Sequence, residues 1–491
     1  MRPDPATPPR RGLSRRELLG ATAVLGGAAL AGGTAAARAD AAGAAVAPAP
    51  SVTRLGDTLL DPAAIYFVSF DGLVNNESFQ LNGIMTYAGH QYTGWYGADR
   101  TAILARRRLP AGPWETLRLP HQLSTDDSHN VISLGVSPED GRLHAAMDVH
   151  NTTISYVRSV AGLAANPAAQ PWTAAAFGPV QRTLGGVDLG GISYPQFVLT
   201  PENRLQFSFR TGGSGNGTNE LAEYAGGMWT RLGKWSSATG TFTFNGATST
   251  TRNMYLHGLT YGRDGRLHAA FTWREGNTAV LCDQGGLANH DTGYVYSDDR
   301  GRTWRNGAGT VVGTTGGTLV SVTSPGHVVD PLTVDHALMN QESQAADSAG
   351  RPHVIISYVP GRFTQCVTGS YAAQRTRFGR TFHVHRDAAG AWHKMEIPIA
   401  PNATGRSRLV FDAADNAYVV MPFGRIVAAS AGSAWTDWTL LFDGAGLSAF
   451  GEVVVDYPRV ASSGVLSILY QQASTGTTPS AVRVVDFRLG G

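Results

Sequence analysis

A seven-residue segment that occurs twice constrains the fold of this chain more than any other feature. Asp-Gly-Arg-Leu-His-Ala-Ala spans 140–146 and returns unchanged at 264–270. Weaker copies stand at 202–205, 349–353 and 415–418, and the turn residues of successive copies are 62 to 85 positions apart. Each copy joins a residue that tolerates the positive φ of a tight hairpin to the start of an alternating strand. The chain is therefore predicted to consist of repeated β-hairpin units.

The length of the repeat predicts a β-propeller. It matches one four-stranded blade with long loops, and residues 54–491 hold about seven such units. Ser-Asp-Asp-Arg-Gly-Arg-Thr-Trp at 297–304 is an Asp-box, in which Ser and Asp cap a hairpin and Trp packs between strands. We predict an all-β chain with a single seven-bladed β-propeller. A pair of β-sandwiches is an alternative, whereas a right-handed β-helix would need a shorter period that the sequence lacks.

The N-terminus predicts export of a folded protein. Residues 14–19 form a twin-arginine pattern, an apolar run follows, and Ala37-Arg38-Ala39 resembles a cleavage site, so residues 1–39 read as a signal peptide. Residues 40–53 read as an Ala- and Pro-rich linker. The whole sequence has 39 basic and 37 acidic side chains, a balance that argues against a nucleic-acid partner. We expect a secreted protein with no membrane partner after removal of the signal, and a monomer.

Two His-Asn pairs near strand ends are the strongest candidates for chemistry. His129 and His150 are 21 positions apart, and Tyr194 and Arg210 lie at the limits of the next strand patterns. Loops of successive blades converge at the mouth of a propeller, so residues this far apart in sequence can meet there. Unlike His144, His268 and His353, which share one repeat position and are expected to pack, these two histidines have no repeat equivalent.

These segments resemble a known family. The resemblance to the BNR-repeat propellers, a group that includes ulvan lyases and rhamnosyl-glucuronate lyases, covers about 60–360. It rests on the segments 127–133, 141–159, 194–197, 208–217, 273–275, 289–291 and 339–344. The resemblance implies a seven-bladed propeller that cleaves next to a uronic acid by β-elimination. It also implies a catalytic set of two His, one Tyr and one Arg, which here are His129, His150, Tyr194 and Arg210.

The residue types fit this reaction on chemical grounds. Removal of the C5 proton of a uronate requires neutralisation of the adjacent carboxylate, for which the fixed charge and fork geometry of Arg210 are suited. His and Tyr side chains can serve as the base that takes the proton and the acid that protonates the leaving O4. Tyr194 and one histidine form the expected pair, and the sequence leaves their roles open. Asn130, Asn151 and Arg274 are candidate substrate-binding residues.

A metal site is a further candidate, although the chemistry itself requires no cofactor. The resemblance implies a structural zinc in some relatives, and His257, His268, Cys282 and His290 are the candidate ligands here for zinc or calcium. These four lack the usual zinc-ligand spacing, and Gly293 stands where the relatives carry Cys. Cys282 and Cys366 are the only cysteines, so in an exported protein they could form a disulfide.

The expected function is a polysaccharide lyase that acts on rhamnose-uronate linkages, with glucuronate or iduronate, in an acidic polymer such as ulvan or the side chains of plant gums. Two other functions remain open. A glycoside hydrolase on the same fold would need paired carboxylates, for which Asp126, Asp127 and Asp148 are candidates, with His90 as a further residue. A carbohydrate-binding propeller without catalysis would need the aromatic residues alone.

Overall fold

The computed structural model describes residues 49–79 and 81–490 of the chain. The predicted signal peptide lies outside this part, as does most of the predicted linker, and the first strand already begins at Val52. Among the described residues, no helix has both the length and the apolar character needed to cross a membrane.

Strands account for most of the described secondary structure. The first sixteen along the chain are β1 (Val52–Ala64), β2 (Ile84–Tyr87), β3 (His90–Tyr96), β4 (Thr101–Arg108), β5 (Glu115–Gln122), β6 (Ser133–Ser137), β7 (Arg142–Met147), β8 (His150–Thr153), β9 (Ser155–Arg158), β10 (Gly191–Leu199), β11 (Leu205–Gly213), β12 (Asn216–Ala225), β13 (Met228–Lys234), β14 (Thr239–Phe244), β15 (Ala247–Tyr261) and β16 (Leu267–Glu275).

The strands that follow are β17 (Asn289–Ser297), β18 (Thr303–Arg305), β19 (Val311–Thr314), β20 (Val328–Asp330), β21 (Ser343–Ala346), β22 (Pro352–Tyr358), β23 (Arg380–Arg386), β24 (Trp392–Glu396), β25 (Arg408–Phe411), β26 (Ala417–Met421), β27 (Arg425–Ala429), β28 (Thr439–Phe442), β29 (Val454–Val455), β30 (Val465–Gln471) and β31 (Ser480–Leu489). Two α-helices occur, α1 (Tyr371–Phe378) and α2 (Tyr457–Ser463). The 3-10 helices are Pro167–Ala169, Ala174–Phe177, Thr278–Val280, Val334–His336, Pro422–Gly424 and Ala431–Ser433.

The repeat copies all fall on one kind of hairpin. Their turns join β6 to β7, β10 to β11, β15 to β16, β21 to β22 and β25 to β26. The residue at each turn has a positive φ, namely Gly141, Asn203, Gly265, Gly350 and Asp415. The repeat therefore marks the same hairpin in successive sheets, as predicted.

The sheets are antiparallel, but their sizes correct the predicted blade count. Six sheets have four or more strands: β2 to β5, β8 with β10 to β13, β14 to β20, β21 to β24, β25 to β28, and β29 to β31 with β1. Between the first two lies a sheet of only three strands, β6, β7 and β9. The structure is thus all-β with a six-blade propeller arrangement, and the prediction of seven four-stranded blades is wrong.

The chain course explains the incomplete sheet. Between β7 and β9 the chain forms β8, which pairs with β10 of the next sheet instead of completing its own. After β9, residues 159–190 contain two 3-10 helices where a fourth strand would stand. The repeat length measured along the sequence counts the segment from β6 to residue 190 as a full blade. Length and turn spacing do not show which strands pair.

The core lies between neighbouring sheets. One cluster joins Tyr92 and Leu104 to Leu134 and Leu143 of the three-stranded sheet, and all four side chains are fully buried. In the Asp-box, Ser297 accepts a hydrogen bond from the Gly301 amide, and Asp299 accepts one from the Thr303 amide. Trp304 stacks on Trp235 with ring centroids 4.1 Å apart. The box therefore closes a hairpin and fills the core, as the sequence predicts.

Candidate active site

Two stacked imidazoles held by one carboxylate form the centre of the site. The rings of His129 and His150 lie 4.3 Å apart and are tilted by only 12°. Nδ1 of His129 is 2.9 Å from Oδ1 of Asp127, and Nδ1 of His150 is 2.6 Å from Oδ2. A carboxylate can only accept hydrogen bonds, so each Nδ1 carries a proton, and Nε2 is the ring nitrogen that Asp127 does not engage.

Local structure explains how the two rings meet. His150 opens β8, the strand that crosses to the next sheet, and pairs with Ser193 of β10. His129 lies in the loop before β6, where Ser128 donates a hydrogen bond from its hydroxyl to the Ser69 carbonyl and from its amide to the Ser69 hydroxyl. Because β8 pairs with β10, the sheet of β6, β7 and β9 lacks a fourth strand, and His150 at the start of β8 lies against His129.

Tyr194 faces the imidazoles from a distorted point of β10. Its ring centroid is 5.9 Å from those of both His129 and His150. The residue has a φ of 58°, and the pairing of β10 with β11 shifts register between Ser193 and Gln196. A left-handed conformation is costly for a bulky residue, and bulges of this kind occur often beside active sites, where they redirect a side chain.

Arg210 lies behind Tyr194 and is almost fully buried. Its guanidinium carbon is 4.8 Å from the Tyr194 ring centroid. It donates hydrogen bonds to the Tyr255 hydroxyl at 3.2 Å and to Oδ1 of Asn151 at 2.8 Å. Arg210 therefore ties two tyrosines and one exposed asparagine together from below the cleft.

Arg274 supplies the cationic group at the cleft surface. Its guanidinium carbon lies 4.6 Å from the Tyr255 ring centroid. Nε donates to Asn289 at 2.7 Å, and Nη2 donates to Asn340 at 3.2 Å. Within residues 49–79 and 81–490, neither Arg274 nor Arg210 forms a salt bridge with a carboxylate. Two guanidinium groups around one tyrosine, neither paired with an acid, make a site suited to an anionic ligand.

Burial and neighbouring charges shift the pKa values of His129, Tyr194 and Tyr255 in different directions. Burial lowers the pKa of His129 to about 4, although Asp127 opposes the shift, so this imidazole is neutral at neutral pH. Burial, followed by the nearby Tyr255, raises the pKa of Tyr194 well above its usual range. Burial alone would raise the pKa of Tyr255, but Arg274 and Arg210 lower it to about 7. The site thus places His129, a neutral imidazole that can accept a proton, beside Tyr194, a hydroxyl that keeps its proton.

A cleft with a volume of about 160 Å³ is lined by His129, His150, Tyr194, Tyr255 and Arg274, whereas Arg210 lies behind it. Phe70 lies at the rim of the cleft and is 69% exposed. Its ring packs edge-to-face against His129, with ring centroids 4.7 Å apart. Arg406 lines the opposite wall and is neutralised by Glu452 at 2.8 Å. A larger cavity of about 650 Å³ has a mainly apolar lining and contains none of the four predicted catalytic residues, so we assign the chemistry to the smaller cleft.

The remaining substrate-binding and hydrolase candidates lie elsewhere or have other partners. Asn130 is buried, and its amide donates to Thr125, so it shapes the His129 loop. His90 lies on β3, outside the residues that line the cleft. Asp126 forms an exposed ion pair with Arg100, and Asp148 accepts hydrogen bonds from Ser124. These positions do not form the pair of facing carboxylates that a glycosidase ordinarily uses.

The structure does not bring the four predicted metal ligands together. Cys282 forms a disulfide with Cys366, with Cα atoms 6.0 Å apart, so it presents no thiolate. His257 accepts a hydrogen bond from the Glu342 amide, His268 bonds the Tyr294 hydroxyl, and His290 bonds Glu275 and Asp291. The grouping of Asp127, His129 and His150 also has ligand atoms within 4.8 Å of one another and could hold a metal ion.

The sequence indicated four residues of the cluster but missed two groups that organise it. The sequence presents Asp127 as a candidate hydrolase acid, whereas in the structure its carboxylate bonds both imidazoles. Tyr255 lies in the middle of β15, and no sequence motif surrounds it. The one signal near it is Arg274, which lies on β16, the strand paired with β15. The role of Tyr255 depends on pairing between β15 and β16, which the sequence does not display.

Fold and site together define a β-propeller in which two histidines, two tyrosines and two arginines gather at one cleft. The chain belongs to the BNR repeat-containing family, whose profile matches residues 90–399. The family resemblance predicted from the sequence is confirmed.

Individual relatives are more distant. The long isoform of ulvan lyase from Alteromonas sp is 28% identical over 282 residues, which cover 48% of this chain and 27% of that protein. The short isoform from Alteromonas sp. (strain LOR) is 24% identical over 280 residues, covering 47% of this chain and 51% of that protein. The chain thus spans between about a quarter and a half of the length of these relatives.

Solved structures support the fold. The polysaccharide lyase Uly1 has a TM-score of 0.65 at 17% identity, and the match covers 89% of this chain and 99% of that one. An ulvan lyase described as a new family of polysaccharide lyase has a TM-score of 0.58 at 11% identity, covering 88% and 95%. At these identities the likeness shows a shared architecture alone.

Proposed function

We propose that this protein is a polysaccharide lyase that cleaves a uronate-containing polymer by β-elimination. The observation that carries the proposal is the convergence of His129, His150 and Tyr194 on one cleft with Arg210 directly behind the Tyr194 ring. These residues meet although they span 82 positions of the sequence. Membership of the BNR repeat-containing family and similarity to ulvan lyases support the same reaction.

Substrate binding begins with the uronate carboxylate. Arg274 lines the cleft and has no carboxylate partner among the described residues, so a ligand carboxylate would complete its ion pairing. Arg210 lies deeper and fixes Asn151, whose Oδ1 accepts its hydrogen bond and whose amide is left to donate. Neutralising the carboxylate stabilises the enolate-like intermediate that forms when C5 loses its proton.

A histidine of the Asp127 pair takes the C5 proton. With Nδ1 donating to Asp127, Nε2 of the neutral ring is the acceptor, and the carboxylate stabilises the imidazolium that results. Both rings share this arrangement, so the face of the sugar that carries the C5 proton decides which one acts.

Tyr194 protonates the leaving O4. Its raised pKa keeps the hydroxyl protonated throughout the neutral range, as a general acid requires. The cationic Arg210 beneath its ring stabilises the phenolate that forms when the proton leaves. The C5–H and C4–O4 bonds break, a C4–C5 double bond forms, and the leaving O4 departs as a hydroxyl. The histidine then releases its proton to solvent, and the Tyr194 phenolate takes one proton back from solvent.

The proposed substrate is an acidic polysaccharide with rhamnose linked to glucuronate or iduronate. Two relatives are ulvan lyases, and one solved ulvan lyase is described as bound to -[GlcA(1-4)Rha3S]-. Side chains of plant gums carry the same type of linkage and remain a second source. We further propose twin-arginine export as a monomer without a required cofactor, which rests on the N-terminal sequence and on the chemistry above.

The experiment follows absorbance near 235 nm while the purified protein is incubated with ulvan and, separately, with gum arabic. An unsaturated uronate absorbs there, so we expect a rise with one polymer that Tyr194→Phe and Arg274→Gln reduce by about 10²-fold or more. Tyr296→Phe and Arg266→Gln are the matched controls and should keep the wild-type rate, because these residues lie in or next to the sheet of Arg274 but do not line the cleft.

Other results would overturn the proposal in distinct ways. New reducing ends or free rhamnose without a change at 235 nm would establish a hydrolase. Binding of either polymer without any cleavage product would establish a carbohydrate-binding propeller.

A further inference from the structure

A second group of histidines lies in the sheet of β21 to β24, away from the cleft. His353 of β22 and His383 and His385 of β23 stack on one face of this sheet, with ring centroids 4.8 to 5.3 Å apart. All three are buried, and Trp435 packs its edge against them. None of them lines the catalytic cleft.

Comparison with the other repeat copies shows that this group replaces a simpler arrangement. His144 and His268 occupy the position of His353 in their own sheets, and Nδ1 of each bonds a tyrosine hydroxyl of the next strand, at 2.6 and 2.7 Å. The strand register places His383 where those sheets carry Tyr156 and Tyr294. This sheet has thus exchanged the tyrosine for an imidazole.

The same register places a further imidazole next to the first. His385 stands where the other two sheets carry Arg158 and Tyr296. Three imidazoles therefore face one another where the two sheets with His144 and His268 have one each.

Hydrogen bonding within the group is incomplete. Nδ1 of His353 is 2.8 Å from Nε2 of His383, which accounts for one contact. Nδ1 of His383 and Nδ1 of His385 are both buried without a hydrogen-bond partner. An unsatisfied buried polar atom is destabilising, by about 1 to 3 kcal/mol in typical proteins, and so calls for an explanation such as an ion.

We propose that His353, His383 and His385 bind a divalent transition-metal ion of the zinc type and that this ion crosslinks β22 and β23. Each ring offers one nitrogen, and these nitrogens lie within 4.8 Å of one another. Zinc holds imidazole nitrogens at about 2.0 to 2.1 Å, so modest ring rotations would close the set around an ion, with water as the fourth ligand.

The surroundings suit such an ion. Burial lowers the pKa of all three histidines, which keeps the rings neutral and able to bind metal. Asp347 lies 3.5 Å from Nε2 of His353 and can orient that ring, as carboxylates commonly do for metal-binding histidines. His393 is half exposed, and its ring stacks on His385 with centroids 5.4 Å apart, so the group lies next to a solvent-exposed imidazole.

The test is titration of the chelator-treated full-length protein with Zn²⁺ alone, followed by calorimetry and by thermal unfolding. We expect one tight site per chain and a rise in Tm, because an ion that binds only the folded state stabilises it. His383→Gln and His385→Asn should each weaken binding by at least about tenfold and abolish the Tm rise.

Two controls make the outcome specific. His393→Asn removes the adjacent exposed imidazole and should leave Zn²⁺ affinity within about twofold, because that ring is not in the predicted ligand set. If His383→Gln fails to fold, the solvent-adjacent His385→Asn carries the test. Unchanged Zn²⁺ affinity in the folded His385 variant, or loss of the site in His150→Asn instead, would overturn the proposal.

Discussion

At the scale of single residues, Asp127 controls the site by holding two imidazoles at once. Burial alone would raise its pKa, but hydrogen bonds from His129 and His150 hold it well below its usual range, so the carboxylate stays charged. Asp127→Asn replaces one acceptor oxygen by an NH2 group, which cannot accept a hydrogen bond. One ring then loses its orientation and tautomer, and we expect kcat to fall by about 10² to 10⁴ with a small change in KM.

The neighbouring acid is the matched control for that variant. Asp126 forms only an exposed ion pair with Arg100, so Asp126→Asn should keep kcat and Tm near wild type. Steady-state kinetics at 235 nm and a thermal melt of both variants check the prediction. Equal loss of kcat in the two variants would mean that the loop as a whole, and not the Asp127 carboxylate, supports the chemistry.

Tyr255 makes substrate binding depend on pH. Its pKa of about 7 means that the hydroxyl becomes a phenolate as pH rises through neutrality, and this negative charge lies between Arg274 and Arg210. The phenolate competes with a substrate carboxylate for the two cations. We therefore expect kcat/KM to decline above pH 7 through a rising KM.

The variant Tyr255→Phe isolates this effect. Without an ionisable hydroxyl, kcat/KM should lose its decline near pH 7 and hold a plateau to higher pH. The measurement is a pH profile of kcat/KM for both proteins with the polymer that responds. A wild-type profile that rises through pH 7 and flattens in the variant would assign Tyr255 to proton abstraction instead.

The catalytic cluster could be predicted from the sequence only where a motif carried it. His129, His150, Tyr194 and Arg210 lie in recognisable segments, and the structure places them together. Tyr255 carries no such signal, because its contact with Arg210 arises between strands of two different sheets.

At the scale of elements, the repeat predicted hairpins better than it predicted blades. Every copy of the turn joins two paired strands of one sheet, since the positive φ of the turn residue is a local requirement. Two sheets have no copy. Ala88 and Gly89 form the turn between β2 and β3, and α2 stands between β29 and β30. Pairing choices such as the transfer of β8 depend on distant strands, so the count of blades could not be obtained from spacing.

The disulfide fastens two connections near the cleft wall. Cys282 lies between β16 and β17 and Cys366 between β22 and β23, and the bond closes a loop of 84 positions. Leu287 and Tyr371, which follow the two cysteines in the chain, both line the cleft. Because the bond restricts the unfolded chain, the double variant Cys282→Ser and Cys366→Ser should lower the free energy of unfolding by up to about 4 kcal/mol.

Chemical denaturation of the variant beside the wild type checks this loss. Wild-type protein melted with a thiol reductant should approach the stability of the double variant, because both lack the same bond. Identical midpoints for oxidised wild type and variant would show that the link contributes no stability.

At the scale of the whole molecule, the two ends of the described chain close the structure. β1 pairs with β31 from Val52↔Leu489 to Ala64↔Ser480, so the first strand completes the sheet made by the last three. Asp486 of β31 then joins this sheet to the sheet of β2 to β5. It accepts hydrogen bonds from Arg107 of β4 and from Arg459 of α2, both at 2.8 Å. All three side chains are buried, so this cluster links the start, the end and the first full sheet.

Removing that carboxylate should therefore destabilise the whole fold and not one sheet. Asp486→Asn leaves two buried guanidinium groups without their negative partner, which costs about 3 to 5 kcal/mol in comparable cases. Asp298→Asn breaks an exposed ion pair with Arg266 and should cost under about 1 kcal/mol. If closure couples all sheets, the Asp486 variant unfolds in one transition at lower denaturant, with catalytic activity and tryptophan fluorescence lost together. Separate transitions for the two signals would mean that the closing sheet opens independently of the catalytic cleft.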